Sequence, residues 1–149
     1  MDSVPTRTGS RRSTPRDISA ISRHSSGYFR ASGRHGFSED EITAVKKHVF
    51  ETEHPILDYE TNEILLQRFD ANADMAEAWI RLRSGRALSE DYLLLEHELA
   101  ELIYMSEIPG VTYQQAHRFI QEKFNWDKVR PSSRGEDFES DGKWQFCCM

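Results

Sequence analysis

The sequence predicts an all-α protein, a compact bundle of about four to five helices flanked by disordered N- and C-terminal tails. Residues 37–127 are nearly free of proline and glycine, which interrupt helices. Their apolar residues recur at helical spacing, and no segment alternates with the period of two that is typical of a half-buried strand. Helix-starting patterns precede the periodic segments.

The same contrasts divide the chain into three parts. Residues 37–127 are predicted to form the helical domain, which is long enough to enclose one small core. Residues 1–36 hold eight serines, seven arginines and four glycines with almost nothing apolar to bury, a composition typical of a disordered arm. Residues 128–149 are predicted to be a polar, disordered tail.

The first predicted helix begins at Ser38 and runs to about residue 52. Ser38 and Glu41 match a capping box, and a proline at position 55 disfavours helix in the residue before it. His48 flanks its apolar face, which consists of Ile42, Val45 and Val49. Residues 56–69 are ambiguous, and their apolar residues suggest a short helix or a turn.

Three more helices are predicted further along the chain. The second covers about 74–84 and stops at Gly85; its apolar side chains at helical spacing are Met75, Ala78, Trp79 and Leu82. The third, 89–105, is capped by Ser89, with acidic residues opposing the positive end of the helix. Thr112 begins the last helix through a second capping box.

Charge is divided unevenly and bears on the partners. Residues 1–36 hold seven arginines and two aspartates, a net of +5. The remainder holds 12 basic and 23 acidic residues, a net of −11, which gives −6 for the whole chain. Because nucleic-acid binding needs cations to neutralise phosphates, the acidic domain is a poor nucleic-acid binder. The expected partner is a protein or another macromolecular substrate.

Targeting signals are not apparent. No apolar run approaches the roughly 20 residues that span a bilayer, and the first 30 residues lack the apolar core of a secretory signal. The N-terminal arm also lacks the amphipathic stripe of an organelle-targeting peptide. Cys147 and Cys148 are adjacent, which excludes a disulfide framework. These observations predict a soluble, cytoplasmic protein.

Ionisable residues on the third predicted helix indicate chemistry. His97 and Glu101 lie four residues apart on an apolar face, where an ionised glutamate is costly unless it is paired or bound to a cation. The segment H-E-L-A-E resembles the metalloprotease pattern H-E-x-x-H, with Glu101 at the second histidine position. His117 is a candidate third zinc ligand, which leaves a position for water. Glu98 is then the candidate general base.

A structural explanation of these residues remains open. His97 and Glu101 can instead form a hydrogen-bonded pair within a helix, with His117 as a space-filling side chain in the core. His48 faces His97 only if the first and third helices pack together. Asp91 is a further catalytic candidate, although a residue of this type in a first helical turn is usually a cap.

Several motifs taken together are more specific than H-E-x-x-E alone. They are R-F-D at 68–70, A-x-A-W-x-R-L-x-x-G at 76–85, D-Y-x-L-L-x-H-E-L-x-E at 91–101, A-H at 116–117 and F-N-W at 124–126. This set resembles a small helical domain found at the C-termini of bacterial polymorphic toxins and of some phage head-associated proteins. The resemblance covers about residues 42–126, with Phe124 at a position that is usually tyrosine.

The resemblance implies a toxin- or effector-type module that is hydrolytic and delivered as an effector. It carries functional positions to His48, His54, Asp70, Asp91, His97, Glu98, Glu101 and His117. The resulting hypothesis is a metal-dependent hydrolase whose divalent cation, zinc, is bound by His97, Glu101 and His117. Its catalytic residues are then Glu98, His97, His48 and Asp91. The alternative is a non-enzymatic helical protein-interaction module whose His/Glu pair is structural.

Overall fold

Six α-helices and one two-stranded sheet make up the residues that the computed structural model describes, 15–70 and 72–131. The helices are α1 (Pro15–His24), α2 (Glu39–Phe50), α3 (Ala73–Arg83), α4 (Ser89–Glu107), α5 (Tyr113–Gln121) and α6 (Trp126–Val129). The strands are β1 (His54–Asp58) and β2 (Glu63–Gln67). The described chain is therefore mostly helical, as predicted, but it is not purely all-α.

Local signals place the helix ends where the sequence predicts them. At the start of α2 the Ser38 hydroxyl accepts from the Glu41 amide at 3.1 Å, and the Glu41 carboxylate accepts from the Ser38 amide at 3.0 Å. Thr112 makes the equivalent capping box at the start of α5. After α3, Gly85 adopts a φ of +75°, which only glycine accepts readily. Each signal depends on residues within one turn.

Helix α4 lies at the centre of the domain and contacts α2, α3, α5 and α6. The predicted apolar faces of α2 and α3 are buried in the core around it. From α2 and α3 the buried apolar side chains are Ile42, Val45, Val49, Met75, Ala78, Trp79 and Leu82. Since α4 has neighbours on several sides, its own buried set includes polar as well as apolar residues.

The hairpin of β1 and β2 corrects the prediction for residues 56–69. The strands pair antiparallel, with Ile56 opposite Leu65. The Gln114 side chain of α5 accepts from the Leu57 amide at 3.1 Å and donates to the Leu57 carbonyl at 2.9 Å. Every residue of β2 is exposed, so its sequence shows no alternation between a buried and a solvent face. For this reason the prediction of a helix or turn was wrong.

Helix α1 corrects the predicted boundary at residue 37. Ile18 and Ile21, three positions apart, lie on one helical face and are 8% and 0% exposed. Beyond α1, the Arg30 guanidinium lies 4.4 Å from the ring centroid of Phe37 and pairs with Glu41 at 2.9 Å. Residues 15–36 are therefore part of the domain, held by few apolar groups. The predicted disordered tail of 128–149 is corrected at its start, because Lys128 and Val129 belong to α6. The predicted disorder of residues 1–14 and 132–149 falls outside the described residues.

Candidate metal centre

Three helices bring five ionisable side chains together in the interior. Helix α4 provides His97, Glu98 and Glu101, while α2 provides His48 and α5 provides His117. The α4 residues fall on adjoining positions of the helix surface because they are three and four residues apart. All five side chains are buried, with exposures from 0% to 6%. The structure thus gathers every predicted metal ligand and three of the four predicted catalytic residues.

His97, Glu101 and His117 form a nearly equilateral triangle of donor atoms. Glu101 Oε2 lies 3.2 Å from His97 Nε2 and 3.2 Å from His117 Nδ1, and the two nitrogens are 3.1 Å apart. Metal–ligand bonds of about 2.0–2.1 Å in a tetrahedron separate neighbouring ligands by about 3.3 Å. The triangle therefore already has the dimensions of one face of a tetrahedral zinc site.

His97 and His117 each have a second ring nitrogen on the side away from Glu101, called the outer nitrogen here, and each outer nitrogen faces an acceptor oxygen. His97 Nδ1 lies 2.7 Å from the carbonyl oxygen of Phe124, and His117 Nε2 lies 3.4 Å from Asp127 Oδ2. Such partners hold the ring in the orientation in which the inner nitrogen binds a metal once it has lost its proton; in the metal-free cluster the inner nitrogen of His97 carries a proton towards Glu101. The inner nitrogens of both rings then face Glu101, as metal ligands require.

His48 and Glu98 lie against the other side of the Glu101 carboxylate. His48 Nε2 is 2.9 Å from Glu101 Oε1 and 3.7 Å from Glu98 Oε2. His54 Nε2 donates to the His48 carbonyl at 2.7 Å. The Phe69 ring stacks on His54 at 4.5 Å and contacts the edge of His48 at 5.6 Å. His54, a position implied by the resemblance, therefore supports His48 without joining the cluster.

The charges of the metal-free cluster are set by mutual hydrogen bonding. Burial lowers the pKa of His97, but the hydrogen bond to Glu101 and the charges of Glu98 and Glu101 outweigh it and raise that pKa from 6.5 to about 9. Burial raises the pKa of Glu101, but hydrogen bonds from the three histidines hold it well below its usual range. At neutral pH His97 is therefore protonated in the metal-free protein, and its positive charge is paired with the negative charge of Glu101.

Asp91 lies apart from the cluster and has a structural role. Its two carboxylate oxygens each accept from the Arg81 guanidinium at 2.8 Å. One of them also accepts from the Leu88 amide at 2.9 Å, so Asp91 rather than Ser89 caps the start of α4. Because both carboxylate oxygens of Asp91 are engaged in joining α3 to α4, Asp91 lies outside the candidate site. We therefore assign it a structural role instead of the predicted catalytic one.

A surface cavity lies next to the cluster. Its volume is about 440 Å³, and it is lined by Val49, Phe50, Arg68, Phe69, Asp70, Asn72 and Met75. Phe69 contacts both this cavity and the imidazoles of His48 and His54. Asp70, the last position implied by the resemblance, therefore lies in the cavity wall rather than among the buried ligands.

Sequence reasoning missed the groups that orient the histidines. Asp127 stands at the predicted end of the domain, ten residues after His117, and the acceptor for His97 is a backbone carbonyl at Phe124. A carbonyl has no sequence signature, and Asp127 reaches His117 only because α6 folds back onto α4. These contacts arise from packing.

Comparisons with known proteins give no relative for this chain. No protein-family model matches it, and searches of curated proteins and of solved structures find no match either. The resemblance to the toxin domain therefore stays a prediction. In the described part of the chain, no helix combines the length and apolar composition needed to cross a bilayer.

Proposed function

We propose that this protein is a metal-dependent hydrolase whose divalent cation is bound by His97, Glu101 and His117. The observation that carries the proposal is the donor triangle, with edges of 3.1–3.2 Å and with acceptors holding the outer nitrogens of both imidazoles. Hydrogen bonds from the two imidazoles to Glu101 hold the same geometry in the metal-free protein, so the three donor atoms are already in place for a cation.

The donor set fits zinc. Two imidazole nitrogens and one carboxylate oxygen are the ligands of several catalytic zinc sites, in which three protein ligands leave a fourth position open. When bound in such a site, zinc polarises the scissile group and lowers the pKa of water towards neutrality. The ligands are not those of magnesium or calcium, which prefer sets made up of oxygen donors.

Glu98 is the candidate proton acceptor when one cation is bound. It is fully buried on α4, one residue from His97 and one turn from Glu101. Its Oε2 lies 3.7 Å from His48 Nε2, which places an imidazole beside the carboxylate. The resemblance to toxin domains supports an effector role, with a protein or another macromolecule as substrate.

A second candidate function is a non-enzymatic interaction module whose metal is structural. The observation that favours it is strand β2, which exposes three consecutive apolar side chains. Ile64, Leu65 and Leu66 are 57%, 43% and 68% exposed. Ile64 and Leu66 lie on the same face of the strand, and exposed apolar patches mark interaction sites. In this case the buried cluster only holds α2, α4 and α5 together.

Metal analysis of the purified protein tests whether the cluster binds zinc, which the hydrolase requires. We expect bound zinc in the wild type, its loss in His97→Ala and His117→Ala, and no change in His35→Ala, a control at an exposed histidine. Wild-type protein without bound metal after zinc loading and dialysis contradicts the proposal.

Access to the metal decides between an enzyme and a structural site. Cobalt substitution makes the coordination visible by absorption, and azide is a suitable small ligand. We expect azide to change the spectrum, because a catalytic site keeps one position open whereas a structural site is closed. An unchanged spectrum at saturating azide supports the interaction module and contradicts the hydrolase.

A further inference from the structure

The two oxygens of Glu101 face two different sets of ligands. Oε2 faces the nitrogens of His97 and His117 at 3.2 Å each, and these form the proposed zinc site. Oε1 points away from them and lies 2.9 Å from His48 Nε2. A carboxylate in this position can bridge two cations, one on each oxygen.

The second set has the composition and dimensions of a metal site. His48, Glu98 and Glu101 each offer a ligand atom, and these atoms lie within 4.8 Å of one another. The distances from His48 Nε2 are 2.9 Å to Glu101 Oε1 and 3.7 Å to Glu98 Oε2. These values bracket the roughly 3.3 Å expected between ligands of a tetrahedral zinc ion.

The second set is also held in place by its surroundings. His48 is anchored through its own carbonyl by His54, and the Phe69 ring packs against its edge. Glu98 and Glu101 lie one turn apart on α4, the helix with the most packed neighbours. Burial of this kind keeps ligands in place and lets few water molecules compete for a cation.

We propose that the protein binds a second divalent cation at His48, Glu98 and Glu101, with Glu101 bridging the two ions. The inference rests on the proposed function, because the second site shares Glu101 with the first. Paired cations about 3.5–4 Å apart are a recurring arrangement in hydrolytic enzymes. In this state Glu98 is a metal ligand, so its role as proton acceptor is confined to the protein with one cation.

The stoichiometry of zinc binding tests the second site directly. The full chain is stripped with a chelator, titrated with zinc by calorimetry, and analysed for metal after dialysis. We expect two equivalents in the wild type, one in His48→Ala, one in Glu98→Gln, and two in the His35→Ala control. Thermal unfolding of each variant shows whether it folds, and the wild-type count stands even if a variant does not fold.

A spectroscopic measurement reports whether the two ions share a bridge. Two Co²⁺ ions joined by Glu101 are spin-coupled, so the wild-type paramagnetic resonance signal is weaker than its cobalt content predicts. In His48→Ala the signal is expected to match the cobalt content. A wild-type signal that matches two equivalents of cobalt contradicts the bridge and overturns the inference.

The possible failures are distinguishable. One equivalent in the wild type, abolished by His117→Ala, overturns the second site and leaves the first intact. If His48→Ala then only weakens that one ion, His48 acts as a positioning residue through Glu101. No metal in the wild type overturns both the second site and the proposed function.

Discussion

Raising the pH is expected to destabilise the metal-free protein through His97. This imidazole is faced by Glu98 and Glu101 from its own helix and by His117 from α5, and its Nδ1 donates to the Phe124 carbonyl. The two carboxylates favour the charged imidazolium over the neutral ring. The folded state therefore binds a proton at His97 more tightly than the unfolded chain does.

The pKa of His97 sets the size and sign of this effect. Its value rises from 6.5 to about 9 on folding, which corresponds to about 3 kcal/mol at about 1.36 kcal/mol per pH unit. A group with a raised folded pKa contributes its full stabilisation below the unfolded pKa and loses it as the pH rises through the folded pKa. The loss therefore falls between pH 6.5 and about 9.

Urea unfolding of chelator-treated protein across this pH window measures the loss. His97→Gln removes the titrating group, so its unfolding free energy should depend much less on pH over the same range. A wild-type stability that does not fall, or an equal fall in His97→Gln, refutes the reasoning. Zinc should have the opposite dependence, because it binds the neutral imidazole and displaces the proton, so its stabilising effect grows with pH.

Three substitutions test other parts of the structure. Asp91→Asn is expected to cost about 2–4 kcal/mol in urea unfolding by weakening the pair with Arg81, with metal content unchanged; lost metal contradicts its structural role. Asp127→Asn should weaken zinc binding about 10–100-fold in a chelator competition, because it orients His117, and unchanged affinity argues against that contact. Ile21→Ala should cost about 2–5 kcal/mol; a loss below about 1 kcal/mol would show that α1 is not part of the core.

The helices were predictable because their signals are local. The capping boxes at Ser38 and Thr112 and the glycine at position 85 each act within one helical turn. Helix α1 and strand β2 were missed for the opposite reason. Ile18 and Ile21 indicate a buried helix face only when the surface of α2 and α3 that packs against them is known. Strand β2 is a strand because β1 pairs with it, not because it has a buried face.

The candidate site divides in the same way between local and tertiary information. Helical spacing alone places His97, Glu98 and Glu101 on one helix, and it identifies His117 as a candidate on the next. The spacing cannot decide whether these residues meet. Only the packing of α2 and α5 against α4 places His48 and His117 on opposite oxygens of Glu101.

The sequence by itself determined which side chains carry donor groups, where most helices begin, and that an ionised glutamate in an apolar helix face requires a partner. The tertiary structure alone decided that the partners of Glu101 are three histidines and that Asp91 pairs with Arg81. It also decided that the two carboxylate oxygens of Glu101 contact different histidines. The physical reason is range. Helical periodicity and capping act over three or four residues, whereas contacts such as that between His48 and Glu101, 53 positions apart, form only when whole helices pack.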